Sequence, residues 1–316
     1  MIVSVLKAVG ISLVITACIA LGLIASQRPA RLGGDGGLDF GGILQPGAQT
    51  PQTAAPKTAP VMMRDGTALP VRRYGDAGPL VILVHGSGWH GLQFDQLAKA
   101  LGTRAHVVVP DLRGHGVAPI KRGDIDYIGQ FEDDLADLIA HHRTAGQRVV
   151  MVGHSSGGGL VVRFAGGTHG AMLDHAVLLA PFLKHNAPTT RTNSGGWAHV
   201  LVRRLIGLSM LNTVGVRALN HLPVIQFAMP RAVLEGPLGH TATTQYSYRL
   251  NTSFAPRPDY LRDIAALPRF DLVVGTKDEA FVADAYQPLM APLTDKGQYT
   301  LVPDVGHLDI VNAVDT

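Results

Sequence analysis

A serine flanked by glycines is the feature of this sequence best suited to covalent chemistry. Gly153, Ser155 and Gly157 form a G-x-S-x-G pentad directly after the apolar run 149–152. Such a pentad suits a sharp turn from a strand into a helix, because glycine lacks the Cβ that would meet neighbouring backbone. The turn would expose the Ser155 hydroxyl, and the helix would direct its N-terminus at a reacting carbonyl. We therefore predict Ser155 as a nucleophile and Ser156 as a backbone N–H donor to an oxyanion.

Two residues downstream have the chemistry that a serine nucleophile needs. Asp278 follows the apolar run 270–275, and His307 follows the run 298–302 near the end of the chain. A histidine can accept the serine proton, and a carboxylate can orient the imidazole. The chain contains 14 histidines, so position after a predicted strand is what selects His307. Glu279 is the reserve candidate for the acid. The alternative interpretations are a surface turn at 278 and a glycine-rich turn at 155 that only packs.

A second glycine-rich loop follows the apolar run 79–84 and reads His-Gly-Ser-Gly-Trp-His over residues 85–90. Together with the pentad, it resembles the α/β-hydrolase superfamily, in which nucleophile, acid and histidine follow one another in this order. The loop is similar to the H-G-x-G-x-H loop of monoglyceride lipases. This resemblance implies that the backbone N–H of Ser87 supplies the second oxyanion donor. It also implies that Asp278, in the loop after the predicted strand 270–275, is the acid of the triad, and that His307 lies in the loop that carries the histidine. An ordinary turn between strand and helix is the alternative.

The resemblance extends over residues 61–316 and is closest to the lysophospholipase, monoglyceride lipase and serine aminopeptidase-like branch. It implies an α/β fold, with a mostly parallel central sheet flanked by helices. It also implies a helical cap inserted after the sixth strand, because the strand-and-helix rhythm breaks over about 182–267. The Asp-Leu-Arg-Gly-His-Gly turn at 111–116 is familiar from the same superfamily, and we interpret it as structural.

Apolar periodicity and turn residues predict the elements of the core. The predicted strands are 61–64, 68–74, 79–84, 106–110, 147–152, 175–181, 270–275 and 298–302, and the predicted helices are 92–101 and 127–143. The first two strands are predicted to form a hairpin around Asp65-Gly66.

The first 25 residues are apolar apart from Lys7, and 18 uncharged residues run from Ala8 to Ala25. That length meets the lower limit for a membrane span. A retained anchor is favoured, and a cleaved signal or a lipoprotein signal ending at Cys18 are the alternatives. We expect the catalytic domain to lie outside the cytoplasm. Residues 26–60 are rich in Gly, Pro, Ala, Gln and Thr, which predicts a flexible linker.

Charge is distributed unevenly along the chain. The formal net charge is +3, which by itself does not indicate a nucleic-acid partner. Residues 182–267 contain nine Lys or Arg against three acids, so the predicted cap is +6 and the remainder −3. A basic, partly apolar cap could contact anionic lipid head groups or attract an anionic substrate. A solvated basic surface without a partner is the alternative.

We expect a serine hydrolase that cleaves carboxylic esters, such as an acyl glycerol or a lysophospholipid, through Ser155, His307 and Asp278. A peptidase or amidase of the same fold is a second hypothesis, although an aminopeptidase would need acidic residues to hold the substrate amine. A non-catalytic binding protein on this scaffold is a third. No metal ligand spacing and no dinucleotide-binding motif is present in the sequence, so no cofactor and no metal is expected.

Overall fold

The computed structural model describes residues 2–30, 32, 37–41 and 55–313. An eight-stranded sheet forms the centre of the folded domain, in the strand order β1-β2-β4-β3-β5-β6-β10-β11. Its strands are β1 (Ala59–Met62), β2 (Ala68–Tyr74), β3 (Leu80–Val84), β4 (His106–Pro110), β5 (Val149–His154), β6 (His175–Leu179), β10 (Arg269–Gly275) and β11 (Gly297–Val302).

The sheet is parallel from β4 to β11, and β1 and β2 add an antiparallel hairpin at one edge. Every residue of β3 is buried, as expected for an apolar strand covered on both faces. The hairpin turns at Gly66, whose φ of +80° favours glycine. The predicted strands are therefore confirmed, with ends that differ by a few residues.

The described residues form nine α-helices, some of which flank the sheet while others belong to the N-terminal segment and the cap. In chain order they are α1 (Ile2–Ala25), α2 (Asp95–Leu101), α3 (Gln130–His142), α4 (Ser156–Ala165), α5 (Val202–Thr213), α6 (Arg231–Leu234), α7 (Tyr248–Phe254), α8 (Tyr260–Ala265) and α9 (Tyr286–Met290). In α3, Phe131, Leu135, Leu138 and Ile139 are buried at helical spacing. The predicted helix at 92–101 begins as a 3-10 turn over Gly91–Phe94 and continues as α2.

The insertion between β6 and β10 contains strands as well as helices. Three short strands, β7 (Ala198–Val200), β8 (Pro223–Phe227) and β9 (Gln245–Ser247), form an antiparallel sheet of their own. The sequence pattern predicts only helices here. Strands of three to five residues carry too little alternation of apolar and polar side chains to be recognised.

The last turns of α1 pack on the cap helix α5. Ala20 and Ile24 are buried against Leu208 and Leu211. A Cβ on Gly207 would lie 2.5 Å from the carbonyl oxygen of Ala20, so the small residue permits this close approach. The apolar segment is thus attached to the cap through its C-terminal end.

Part of the predicted linker at 26–60 also packs on the domain. Phe40 is buried, and its ring lies 5.7 Å from that of Trp197 in the cap. The backbone N–H of Asp39 donates to Glu279 Oε1 at 3.2 Å. Residues 37–41 of the predicted linker therefore contact the domain through one aromatic side chain and one backbone hydrogen bond. Residues 31, 33–36 and 42–54 of the predicted linker lie outside the described residues.

Candidate active site

The sharp turn at Ser155 joins β5 to α4. Ser155 has φ 55° and ψ −122°, which is a strained conformation for a residue with a side chain. A Cβ on Gly157 would lie 2.1 Å from the carbonyl oxygen of Val84, and one on Gly153 would lie 2.5 Å from that of Gly157. Both positions of the pentad therefore require glycine, as the sequence predicts.

His307 reaches Ser155 from the far end of the chain. Its Nε2 lies 3.0 Å from Ser155 Oγ, across 152 residues of sequence. The loop after β11 carries the imidazole to the edge of the sheet where β5 ends. This distance is within the range in which a histidine can accept a proton from a serine.

Asp278 lies behind the imidazole, in the loop after β10. Its Oδ2 is 2.8 Å from His307 Nδ1. Its Oδ1 accepts hydrogen bonds from the backbone N–H groups of Ala280 and Phe281, at 2.8 and 2.7 Å. Because both carboxylate oxygens have partners, the side chain is fixed in the orientation that keeps a proton on Nδ1 and leaves Nε2 to face Ser155.

Glu279, the reserve candidate for the acid, contacts the histidine loop without contacting the imidazole. Its Oε2 accepts from the backbone N–H of His307 at 2.8 Å, and its Oε1 accepts from Asp39. The geometry therefore assigns the two neighbouring acids different partners: Asp278 contacts the ring and Glu279 contacts the backbone.

The two predicted oxyanion donors lie next to one another. The hydroxyl oxygens of Ser87 and Ser156 are 3.1 Å apart, which places the loop after β3 against the start of α4. A Cβ on Gly86 would lie 3.1 Å from Ser155 Cβ, so the loop backbone passes close to the nucleophile candidate. Backbone N–H groups in such a position can stabilise negative charge that develops on a carbonyl oxygen.

A tyrosine of the cap holds this loop, and the sequence analysis does not identify it. The hydroxyl of Tyr246, in β9, accepts from the backbone N–H of Gly88 at 2.7 Å and lies 2.7 Å from His115 Nε2. His115 Nδ1 lies 3.0 Å from the carbonyl oxygen of Arg113, which accepts its proton. His115 Nε2 is therefore unprotonated and accepts a hydrogen bond from the Tyr246 hydroxyl. Nothing in the local sequence around Tyr246 indicates this contact, because it joins residues far apart in the chain.

His154, the second residue of the pentad, supports the catalytic histidine candidate. Its Nε2 donates to the carbonyl oxygen of His307 at 2.9 Å, and Gln93 Nε2 donates to its Nδ1 at 3.2 Å. The signal that could have identified this residue is its place beside Ser155 in the pentad.

Four buried histidines near Ser155 have lowered pKa values. Burial lowers the pKa of His154 and of His115 to about 3, and that of His85 and of His90 to about 4.

Asp111 in the 111–116 turn is paired with Arg72 at 2.7 Å, so the turn is a buried structural element, as predicted.

Apolar side chains of the cap cover the loop beside Ser155. A Cβ on Gly88 would lie 3.0 Å from the ring of Trp197 and 3.3 Å from Met229 Cε. Trp197 also stacks on Phe227, with ring centroids 5.3 Å apart.

Among the residues that the structure describes, no group of three or more His, Cys, Asp or Glu is arranged to hold a metal ion.

Comparison with known proteins places this chain in a family. Residues 81–315 match the model of the alpha/beta hydrolase family. A pimeloyl-[acyl-carrier protein] methyl ester esterase of Chromobacterium violaceum is 42% identical over 82 residues, which cover 26% of this chain and 29% of that esterase. The chain spans less than a third of the length of the curated relatives that it matches.

Solved structures share the fold. A soluble variant of monoglyceride lipase from Saccharomyces cerevisiae has a TM-score of 0.65 and 16% identity, over 85% of this chain and 95% of that one. A membrane phospholipase A has a TM-score of 0.55 and 14% identity, over 99% of this chain and 92% of that one. With a parallel sheet, a pentad at the end of β5 and a match over residues 81–315, the chain belongs to the α/β-hydrolase family.

Proposed function

We propose that this protein is a serine hydrolase that cleaves carboxylic esters, with Ser155 as nucleophile, His307 as general base and Asp278 as the orienting acid. The observation that carries the proposal is the continuous hydrogen-bonded chain Ser155 Oγ–His307 Nε2 at 3.0 Å and His307 Nδ1–Asp278 Oδ2 at 2.8 Å. Esterases and lipases among the related proteins and structures support the hydrolase assignment.

The reaction proceeds in two half-reactions. Ser155 Oγ attacks the ester carbonyl carbon while His307 Nε2 takes the hydroxyl proton. The N–H groups of Ser87 and Ser156 bind the resulting oxyanion. The carbon–oxygen bond to the leaving group then breaks, and His307 returns the proton to the departing alcohol. Water next attacks the acyl-enzyme with His307 as base, which releases the carboxylic acid and regenerates Ser155.

An acyl glycerol, a lysophospholipid or a similar lipid ester is the proposed substrate class. The apolar cap side chains Trp197, Phe227 and Met229 lie beside the loop that contains Gly88. Such side chains can hold an acyl chain away from water. The apolar helix α1, with 24 residues, is long enough to cross a bilayer and would bring the enzyme to such substrates. In this proposal α1 is a retained anchor and the catalytic domain lies outside the cytoplasm.

Hydrolysis of a panel of p-nitrophenyl esters and aminoacyl p-nitroanilides tests the proposal. We expect turnover of the esters, and a loss of about 10⁴-fold or more in kcat for Ser155→Ala. Ser156→Ala is the matched control, since its backbone N–H is retained, and it should keep most of the activity. Faster turnover of the anilides than of the esters would point instead to an amidase or peptidase. A protein inert to both would refute the proposal.

A further inference from the structure

If α1 is a membrane anchor, the position of the α1–α5 contact along the helix sets a minimum depth of the cap in the bilayer. All residues from Ile2 to Ile15 are exposed, whereas Ala20 and Ile24 are buried against α5. At 1.5 Å per residue, the exposed stretch 2–15 is about 21 Å long. The hydrocarbon core of a bilayer is about 30 Å thick. The remaining 9 Å or so must come from the turns of α1 that touch the cap.

Lys7 shortens the part of α1 that can lie in the hydrocarbon core. If its ammonium group stays at the polar boundary, the uncharged helix available to the hydrocarbon is Ala8–Ala25, about 27 Å long. The residues in contact with Gly207, namely Ala20 and Ile24, then lie within that length. The helix cannot fill the bilayer while the cap remains in bulk water.

The segment after α1 prevents the domain from moving away. Gln27 Oε1 accepts from the backbone N–H of Arg203 at 2.8 Å, which satisfies a free donor in the first turn of α5. The Gln226 side chain pairs with the backbone of Ala30 in both directions, at 3.0 and 2.7 Å. These bonds fix the cap within a few residues of the end of α1.

The surface of the cap beside α1 has the chemistry of a membrane interface. Four apolar side chains of α5 and the turn after it are about half exposed: Val202, Ile206, Val214 and Val216. Arg203 and Arg217 lie among them and are exposed. Between Phe182 and Leu234 the sequence contains no Asp or Glu, so this face carries no acid from that stretch to repel an anionic head group.

An incompletely paired guanidinium lies on the same helix. Arg204 is buried, and its Nη1 donates to the carbonyl oxygen of Pro223 at 3.2 Å. Its Nε has no hydrogen-bond partner among the described residues. The exposed cations Arg203 and Arg217, and not this buried group, would contact anionic lipid head groups directly.

We propose that α5 and the turn after it, residues 202–217, are seated in the interfacial layer of the bilayer that α1 enters, with their exposed apolar side chains among the lipids. The inference rests on the proposed anchoring by α1. It places the cap directly on the membrane, so that a lipid ester reaches the site from the bilayer. The domain is then not suspended at the end of a linker.

Depth measurements on the full-length protein in vesicles of phosphatidylcholine and phosphatidylglycerol test this placement. The environment-sensitive fluorophore NBD is attached to Val202→Cys or Ile206→Cys in a Cys18→Ser background, and quenching by doxyl-labelled lipids is measured. Met62→Cys and Leu301→Cys are matched controls, because they lie at opposite edges of the sheet. Their native side chains are 61% and 45% exposed, against 52% and 46% for Val202 and Ile206. NBD on the native Cys18 reports separately on α1.

We expect a blue-shifted, quenched emission at positions 18, 202 and 206, and a water-like emission at 62 and 301. Quenching at Cys18 with positions 202 and 206 resembling the controls would overturn the cap placement while leaving the anchor intact. The absence of quenching at Cys18 would overturn both. Hydrolysis of a soluble p-nitrophenyl ester by each labelled variant shows that the domain is folded. Absence of this hydrolysis in the unlabelled wild-type protein would instead count against the proposed catalysis.

Discussion

The hydroxyl oxygen of Tyr246 in the cap lies 2.7 Å from the backbone nitrogen of Gly88 and accepts a hydrogen bond from its N–H group. This contact joins the cap to the loop proposed to bind the oxyanion. It means that the cap does more than cover the site: it also positions one side of it.

Tyr246→Phe removes the acceptor of the Gly88 N–H and the donor to His115. Leaving these buried groups without partners should cost about 1–3 kcal/mol of folding free energy. We expect kcat to fall, with KM for small esters changing less, because the loop acts on the transition state. Steady-state kinetics and chemical denaturation measure the two effects. The control is Tyr248→Phe, which loses a different cap hydrogen bond, to Ser209 at 3.2 Å. Equal kinetic effects of the two variants would contradict this role.

The neighbouring acids Asp278 and Glu279 should differ sharply in their effect on catalysis. Asp278→Asn retains the shape but no longer holds the imidazole tautomer, so kcat should fall by about 10³–10⁴-fold. Glu279→Gln retains one acceptor for the backbone N–H of His307, and a loss of only about tenfold or less is expected. Comparison of kcat at the pH optimum measures both. A larger loss of kcat for Glu279→Gln than for Asp278→Asn would indicate that Glu279, and not Asp278, is the acid that orients His307.

Acid should destabilise the domain through its buried histidines. The pKa of His154 is about 3 in the folded protein because of burial, against 6.5 for an ordinary histidine. Below pH 6.5 the unfolded chain therefore binds more protons than the folded one, and stability falls as pH decreases toward 3. Each such group contributes up to about 1.4 kcal/mol per pH unit. Above pH 6.5 the contribution is constant.

Denaturation curves at several pH values between 4 and 8 measure this slope. His154→Gln should reduce the slope of stability against pH by the contribution of about one proton. A slope unaffected by His154→Gln would show that folding does not lower the pKa of this imidazole.

The close approach of α1 to α5 depends on Gly207. Gly207→Leu would place a side chain against the Ala20 carbonyl, where even a Cβ would be at 2.5 Å. Separation of the helices should lower the stability of the full-length protein in detergent by about 1–3 kcal/mol. Thermal unfolding measures this change. Val202→Leu, on the exposed side of the same helix, should have a negligible effect. Equal melting temperatures for the two variants would mean that the helices do not pack.

The sequence predicts the core of this fold well because its strands are continuous apolar runs that end at glycine-rich loops. The loops at 85–90 and 153–157 carry their own steric requirements, and the structure brings Ser155, His307 and Asp278 within hydrogen-bonding distance. These signals are local, so they can be identified without knowledge of the tertiary contacts.

The cap and the segment before the domain were predicted less well, for a different reason. Strands β7–β9 are short, and Tyr246 and Phe40 act through partners far away in the chain, Gly88 and Trp197. Such contacts leave no periodic pattern. The composition of residues 26–60 shows no periodic apolar pattern, and it does not reveal that the ring of Phe40 packs residues 37–41 against the cap.

The most direct test of the account is the mass of the intact protein and of its peptides after reaction with a fluorophosphonate probe. If Ser155 is the nucleophile, one adduct should form on the peptide that contains it, and Ser155→Ala should remain unmodified. Ser156→Ala should react like the wild type. Equal labelling of Ser155→Ala and wild type, or an adduct on another serine, would contradict the proposed catalytic role of Ser155.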